Sequence, residues 1–235
     1  MAQAPYEPLD QAHFAQLTHK TAFLTLLATG CRRSELHAAD RSRIQIGPNW
    51  DWVTLLPTPN FRAKFQARAP DADRDRHWRV RSLPEDCPHR DKLNCPVRAL
   101  KLYIQASDNR RRKNHHLFIP VTLATSDPFS ANTITSWIKK VLLHAYNSAT
   151  PELLEKFGVD REELDLFRPA HELRALGPSF SFASSHPALH DILRQCYWER
   201  HTVFTRHYLR DVSFRNAQGV RQLAEHVLPG APDPL

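Results

Sequence analysis

The sequence predicts a mainly helical α+β domain with a small antiparallel β-sheet inserted near its N-terminus. Apolar residues recur at helical spacing in the first thirty residues and again through the second half of the chain. Between these regions, residues 43–83 are richer in Ile, Val and Trp and are punctuated by Pro and charged residues, which is typical of short strands and loops. A hydrophobic fraction of 41% is enough for a core and argues against wholesale disorder.

Apolar periodicity and helix-breaking residues predict the individual elements in order. The first helix covers residues 11–29 and is interrupted at Gly30. The strands are predicted over 43–46, 50–56 and 77–83. The other helical segments are predicted at 32–39, 96–106, 131–146, 151–158, 170–176, 187–196, 202–212 and 215–228. The Gly177-Pro178 pair is expected to break or kink the helix that precedes it.

A chain of 235 residues fits one domain, which we assign to residues 11–228. Residues 1–10 and 229–235 are rich in Pro and small side chains and are predicted to be flexible tails. The N-terminus has no signal-peptide pattern, and no apolar run approaches the length of a membrane span. We therefore expect an intracellular protein without a membrane partner.

Charge and cysteine content narrow the class of partner. The net charge is +7 and Arg dominates the basic residues, which fits a phosphate-rich partner because a guanidinium can donate to two phosphate oxygens at once. Charge alone is weak support, since many basic proteins bind no nucleic acid. The four cysteines are unevenly spaced, so a disulfide framework is not expected.

Three short segments combine residue types that carry phosphate chemistry. The first is residues 29–36 (TGCRRSEL), and the second is residues 171–174 (HELR). The third is Trp198 followed by residues 204–211 (FTRHYLRD). Each motif alone has low specificity, but a chance match to all of them in one order is much rarer.

In this order the motifs resemble the signature of the tyrosine recombinases, over about residues 12–212. The chain looks closest to the recombinases of eukaryotic mobile elements of the DIRS and crypton type, through residues 95–100 (CPVRAL) and 202–212 (TVFTRHYLRDV). The resemblance implies the tyrosine recombinase catalytic-domain fold. It also implies that the protein is a member of the phage-integrase family, that it is encoded by a transposable element, and that its activity is DNA recombination and integration.

The resemblance assigns the nucleophile to Tyr208 and the grip on the scissile phosphate to Arg32 and Arg174. A phenol is mostly protonated at neutral pH, so it needs a base or a strongly positive site to attack phosphorus. Two guanidinium groups would stabilise the charge that develops on the non-bridging oxygens. The family pattern implies a covalent 3′-phosphotyrosine, a free 5′-hydroxyl, and no cofactor or metal.

The remaining site residues are His171, Trp198, Lys64 and Glu35, and their roles also come from the resemblance. His171 could accept or donate a proton, whereas the indole of Trp198 can donate a hydrogen bond but cannot transfer a proton. Lys64 is the candidate general acid for the 5′-oxygen. Glu35 is expected to orient an arginine rather than to react.

Double-stranded DNA is the expected partner, with self-association into a synaptic tetramer on that DNA. If the source is eukaryotic, the protein is expected in the nucleus. Two alternatives stay open: a catalytically silent, domesticated DNA-binding domain, and a nicking–closing enzyme of the type IB topoisomerase kind. No N-terminal DNA-clamping domain precedes the first motif in this sequence, so the chain could be a fragment.

Each motif also has an ordinary structural interpretation. Arg32 and Glu35 could form an exposed ion pair, and a slip of one residue would put Arg33 in place of Arg32. Residues 201–208 could be an amphipathic helix with Tyr208 at the edge of the core. Ten residues separate Trp198 from Tyr208, against nine in many bacterial relatives, and a spacing of nine would point to His207.

Metal-binding interpretations are weaker. Residues 71–75 (DADRD) begin like a calcium loop but lack the glycine and glutamate that complete one, so they are interpreted as a solvated charge run. Cys87, His89 and Cys95 have no standard zinc spacing. The basic run at 110–116 (RRRKNHH) is expected to be a loop that either touches DNA phosphates or is ordinary polar surface.

Overall fold

The computed structural model describes residues 1–63, 76–111, 114–122, 129–157, 169–183, 188–198 and 200–210. Within these ranges the chain is mainly helical and carries one three-stranded antiparallel sheet near its start, which confirms the predicted fold class. The predictions for Lys64, residues 71–75, residues 215–228 and residues 229–235 concern positions outside the described residues. In the part of the chain described, no helix has both the length and the apolar character needed to cross a membrane.

The elements follow the predicted order, but their bounds differ from the predicted ones and α3 was not predicted. The sheet strands are β1 (Gln45–Ile46), β2 (Trp52–Leu55) and β3 (Trp78–Arg81). The helices are α1 (Phe14–Thr29), α2 (Arg33–Ala38), α3 (His89–Lys92), α4 (Pro96–Asp108), α5 (Ala131–Asn147), α6 (Pro151–Phe157), α7 (Pro169–Ala183), α8 (Leu189–Gln195) and α9 (His201–His207).

Helix α1 is the centre of the core, because α4, α5 and α7 all pack against it. Its buried surface includes polar residues as well as apolar ones. Thr21, Thr25 and Thr29 are fully buried, and each hydroxyl donates to the carbonyl four residues earlier at 2.7 Å. Buried hydroxyl groups need a partner, and this pattern supplies one without leaving the helix.

The sheet packs against both α1 and α4 through β3. Its strand order is β1-β2-β3, and both pairs are antiparallel. Val53 pairs with Val80, and both are buried, as are Leu55 and Trp78 at the next inward pair. The two buried pairs lie two residues apart along each strand, so they face the same side of the sheet and fix the register.

The Gly177-Pro178 pair does not end its helix, so the predicted break is wrong. Helix α7 runs on through both residues to Ala183. A Cβ at Gly177 would lie 2.2 Å from the carbonyl oxygen of Leu27. The glycine therefore lets α7 lie directly against the backbone of α1, and this packing outweighs the local breaking tendency of the pair.

Helix α9 is shorter than predicted. It ends at His207, and Tyr208 follows with φ −121° and ψ −28°, outside the helical region. The sequence predicted a helix over 202–212 that included Tyr208. The tyrosine instead lies in the segment that leaves the helix, where side chains of α7 bind its backbone.

Residues 1–10 do not behave as the flexible tail that we predicted. Tyr6 is 3% exposed and Leu9 is fully buried. Glu7 accepts from the buried ammonium of Lys20 at 2.6 Å and pairs with Arg98 at 2.7 Å. The segment is fixed on α1 and α4 by one carboxylate that serves two cations.

Candidate functional site

Gly30 begins the site by turning the chain between α1 and α2. Its φ is +58°, a left-handed conformation that glycine adopts without strain. Its N–H donates to the carbonyl of Leu26 at 3.0 Å, which closes α1. Arg32 then precedes α2, and its backbone N–H donates to the Glu35 carboxylate at 2.6 Å. The first motif is therefore a helix start whose capping residue is Glu35.

Glu35 is a buried carboxylate shared by three guanidinium groups. It is 1% exposed, which excludes the exposed ion pair considered from the sequence. Arg32 donates to Oε1 at 2.9 Å, and Arg76 donates to the same oxygen at 2.6 Å. Arg174 lies 3.6 Å from Oε2. One negative charge thus brings together two arginines predicted from the motifs and one that was not.

Arg174 is held in place by backbone carbonyls as well as by Glu35. Its Nη1 donates to the carbonyl of Gly30 at 2.5 Å, and its Nη2 donates to that of Cys196 at 2.9 Å. Its Nε has no hydrogen-bond partner within the described residues. Arg174 is 2% exposed, so the guanidinium is fixed at the junction of the first motif with the segment after α8.

Two aromatic rings lie next to the guanidinium of Arg174, and a third packs on one of them. Its Cζ lies 4.9 Å from the ring centre of Trp198 and 5.5 Å from that of Tyr208. The Tyr208 ring lies 4.7 Å from Trp198 and is stacked on His171 at 5.1 Å, with 25° between the planes. Four of the predicted site residues therefore meet in one cluster, although three separate helical segments contribute them.

Exposure differs across this cluster. His171 has a side chain that is 47% exposed, Tyr208 is half-buried, and Trp198 is 6% exposed. The Trp198 Nε1 has no hydrogen-bond partner in the part of the chain that is described. A buried donor without a partner is costly, and a ligand oxygen could satisfy it.

The segment that carries Tyr208 is bound to α7 immediately after α9 ends. The Ser179 hydroxyl lies 3.2 Å from the carbonyl of Tyr208 and accepts from the N–H of Arg210 at 2.9 Å. Arg210 forms a two-pronged ion pair with Glu172, with distances of 2.8 and 2.9 Å. The hydrogen bonds from Arg210 lower the pKa of Glu172 below its ordinary value.

Arg76 and Tyr197 belong to the same cluster and were missed by sequence reasoning. The Arg76 guanidinium lies 4.4 Å from the ring centre of Tyr197. The Tyr197 hydroxyl accepts from the N–H of His77 at 2.8 Å and donates to its carbonyl at 3.0 Å. These contacts join the start of β3 to the residue before Trp198. The only signal in the sequence was their location in the chain: Arg76 immediately precedes a predicted strand, and Tyr197 immediately precedes the motif residue Trp198.

The structure also separates the neighbouring candidates. Arg33 does not take the place of Arg32, because its guanidinium donates to the exposed hydroxyl of Thr135 at 3.1 Å. His207 is exposed at the end of α9, so it lies on the surface rather than in the ring cluster. Lys64 lies outside the described residues. Arg111, from the basic run at 110–116, donates to the carbonyl of Leu117 at 3.0 Å and supports the fold.

Two buried thiols, Cys31 and Cys196, lie close to Arg174 and Glu35. Burial raises the pKa of each thiol to about 12, so both remain protonated at neutral pH. A protonated, buried thiol is a poor nucleophile and a poor metal ligand. Within the described ranges, no group of three or more His, Cys, Asp or Glu side chains is arranged to hold a metal ion.

No protein-family model, curated protein or solved structure matches this chain. The assignment of the site therefore depends on its residues and their geometry. What the cluster offers chemically is a phenol, an imidazole and an indole around a fixed guanidinium, with a surplus of positive charge around Glu35. Such a set can bind an oxyanion and deliver an oxygen nucleophile to it.

Proposed function

We propose that this chain is the catalytic domain of a tyrosine recombinase that cuts and rejoins duplex DNA through a 3′-phosphotyrosine. One observation carries the proposal. The ring of Tyr208 packs against His171 and Trp198 and lies 5.5 Å from the guanidinium carbon of Arg174. These residues belong to the second and third motifs, which are separated in sequence, so the contact does not follow from the geometry of a single helix.

Electrostatics supports an anionic substrate. Three arginines surround Glu35, so the cluster keeps an excess of positive charge that a phosphate would balance. Arg32 has a side chain that is 25% exposed, and it is the member of the set that a DNA phosphate would reach first. Arg174 would then support the phosphorus centre from behind, through its Nε.

The reaction balances as a transesterification. The phenolic oxygen of Tyr208 attacks phosphorus, a bond to the 5′-oxygen breaks, and a phosphotyrosine bond replaces it. The phenolic proton passes to a base, for which His171 is the nearest imidazole, and a general acid protonates the leaving 5′-oxygen. Lys64 stays the candidate for that acid. Because one phosphodiester replaces another, religation needs no external energy source.

A trapped-adduct assay tests the proposal. The substrate is a duplex with a nick close to the cleavage position, so that the short 5′-hydroxyl product diffuses away and the protein stays attached. We expect a covalent protein–DNA adduct in the presence of EDTA, with the DNA on the peptide that contains Tyr208. The Tyr208→Phe variant should form none. An adduct that persists in Tyr208→Phe, or that maps to another residue, would overturn the assignment.

Arg174→Lys provides the second variant. The substitution keeps a positive charge at a buried position, but it loses the planar donor geometry that holds the carbonyls of Gly30 and Cys196. We expect DNA binding to stay within about threefold of the parent while adduct formation falls at least about 100-fold, the scale of losing one transition-state donor. Equal loss of both would mean that Arg174 only holds DNA.

A silent DNA-binding domain is the second candidate, and one observation favours it. Arg174 is 2% exposed and is already bound to two carbonyls, so substrate access requires the Tyr208 ring to shift. Salt-sensitive binding without any adduct would support this candidate. If an adduct forms, relaxation of supercoiled plasmid at many sites would indicate a nicking–closing enzyme. Exchange between two defined sites, by a tetramer, would indicate a recombinase.

A further inference from the structure

The segment that carries Tyr208 lacks support from its own helix beyond one turn. The N–H groups of Tyr208 and Leu209 both donate to the carbonyl of Phe204, at 2.9 and 2.7 Å, and α9 ends there. These bonds close the end of α9 at Phe204, and the N–H of Arg210 donates to Ser179 of α7 instead. The Tyr208 ring also packs on Trp198, and side chains of α7 contact the segment at Tyr208 and Arg210.

Three side chains make those contacts, and we call them the latch: Glu172, Ser179 and Arg210. Ser179 is fully buried on α7, where its hydroxyl donates to the carbonyl of Ala175 at 2.7 Å, accepts from the N–H of Arg210 at 2.9 Å and lies 3.2 Å from the carbonyl of Tyr208. Glu172 binds both prongs of the Arg210 guanidinium. Arg210 also donates to the carbonyl of His207 at 3.1 Å, which closes the loop back onto the end of α9.

The latch and the site share one helix. Glu172 lies between His171 and Arg174 in sequence, and its carboxylate lies 3.7 Å from the Nδ1 of His171. Any displacement of residues 208–210 relative to α7 is therefore a displacement of the Tyr208 hydroxyl relative to both His171 and Arg174.

The latch also has the geometry of a specific contact rather than an ordinary surface pair. The ion pair is two-pronged, and its partners are 33% and 22% exposed, so it is partly shielded from solvent. It acts together with a backbone hydrogen bond to a buried hydroxyl. Cooperative contacts of this kind fix orientation, whereas single exposed pairs contribute little.

We propose that Glu172, Ser179 and Arg210 are positioning residues that deliver Tyr208 to the phosphate site of its own chain; this inference rests on the proposed function. The latch touches no reacting atom. It sets where the phenol lies, and the nucleophile is presented by the same α7 that carries His171 and Arg174.

The first experiment measures position without activity. Hydrogen exchange of the peptide that covers residues 208–210 is compared in the DNA-free parent, Arg210→Met and Glu172→Gln. We expect exchange to be at least about tenfold faster in both variants, because each removes the same ion pair. Arg206→Met is the matched control, since it removes an exposed arginine from the same segment of chain. Unchanged exchange in both latch variants would overturn the latch.

The second experiment measures adduct formation on the nicked duplex at saturating DNA. We expect Arg210→Met and Glu172→Gln to form adduct about 10- to 100-fold more slowly, the scale of a small misplacement of a nucleophile, with DNA affinity close to that of Arg206→Met. The charge-swapped double variant, Glu172→Arg with Arg210→Glu, should recover part of the rate. Such a recovery would assign the defect to loss of the ion pair rather than to loss of either side chain alone, and the split between rate and DNA affinity separates positioning of Tyr208 from a general structural role.

The outcomes separate this inference from the function. If the parent forms no adduct, the proposed function fails, and the exchange data still decide whether the latch exists. If the parent forms adduct and the variants form it equally fast or faster, Tyr208 is not positioned by the latch. Slow adduct formation without rescue by the charge swap, together with normal exchange, would assign the defect to Glu172 acting on His171 instead.

Discussion

Two buried carboxylates, Glu7 and Glu35, each bind several cations, and they differ in how many cationic donors remain without an acceptor. Glu7 serves the buried ammonium of Lys20 and the guanidinium of Arg98, and it fastens the N-terminal segment to α1 and α4. Burial alone would raise the pKa of Glu7, but Arg98 and Lys20 lower it below its ordinary value. Glu35 instead serves Arg32, Arg76 and Arg174, and aromatic rings cover part of that set.

The difference shows how similar residue types can serve stability or chemistry. The Glu7 cluster has an aliphatic ammonium with a backbone acceptor, the carbonyl of Met1 at 2.8 Å, so its donors are well used. The Glu35 cluster has more cationic donors than one carboxylate can accept, and the Nε of Arg174 has no acceptor in the described part of the chain. Unused donors around a surplus of charge are what an anion site requires.

The largest expected effect is that of Glu35→Gln. Arg76 and Arg174 have side chains that are 9% and 3% exposed, and both would lose the negative charge of Glu35. Removing one partner of a buried ion pair typically costs about 3–5 kcal/mol in the free energy of unfolding. Urea unfolding followed by tryptophan fluorescence measures it.

Asp108→Asn is the matched control for Glu35→Gln. Asp108 also serves two arginines, Arg41 and Arg111, but its side chain is 44% exposed. We expect it to lose less than about 1 kcal/mol. If Glu35→Gln lowered the free energy of unfolding as little as this control, the buried cluster around Glu35 would not stabilise the fold.

Glu7→Gln should have the next largest effect, about 2–3 kcal/mol, because the fully buried Lys20 keeps the carbonyl of Met1 as an acceptor. The comparison of the two clusters predicts that Glu7→Gln lowers stability without affecting the site. Per folded molecule, Glu7→Gln should leave the rate of adduct formation unchanged, measured after correction for the folded fraction. A large loss of rate would show that the N-terminal segment also supports the site.

Lowering the pH should reduce the free energy of unfolding through His19, which precedes the Glu7 partner Lys20, and this effect should be smaller than that of Glu7→Gln. Burial, with a contribution from Lys140, lowers the pKa of His19 to about 4. Its neutral form is favoured in the folded state, so the stability it contributes is present above the ordinary histidine pKa and is lost as pH falls towards 4. We expect the free energy of unfolding to fall by about 1–2 kcal/mol between pH 7 and pH 5.

The measurement for His19 is urea unfolding at several pH values. His19→Leu should flatten the pH dependence over this interval, because the imidazole Nε2 has no hydrogen-bond partner in the described residues and little else is lost. His190→Leu is the control, since the side chain of His190 is 78% exposed. An equal change of slope in both variants would show that His19 is not the group responsible.

Periodicity and motif order predicted most of the elements and the members of the site. Apolar spacing found α1, α4 and α5, because each buries one continuous face or, for α1, nearly the whole helix. Motif order singled out Arg174 and Tyr208, which contact each other in the structure. Local patterns suffice where the signal lies within a few turns of the chain.

The parts that failed depend on contacts between distant residues. Arg76 reaches Glu35 only because β3 packs against α1, and nothing near it in sequence indicates that contact. The end of α9 before Tyr208 is fixed by Ser179 on another helix. Residues 1–10 were predicted to be a tail because their composition is dominated by Pro and small residues. Tyr6 and Leu9 become buried only through packing against the rest of the chain, which local composition does not indicate.

Gly177 limits which substitutions the packing of α7 on α1 can tolerate. Main chain meets main chain where α7 crosses α1, since a methyl group there would lie 2.2 Å from an oxygen of Leu27. At this crossing the separation of the two helices is set by backbone contact rather than by an apolar side chain. One added carbon at position 177 would force α7 away from α1, and with it the helix that carries Arg174.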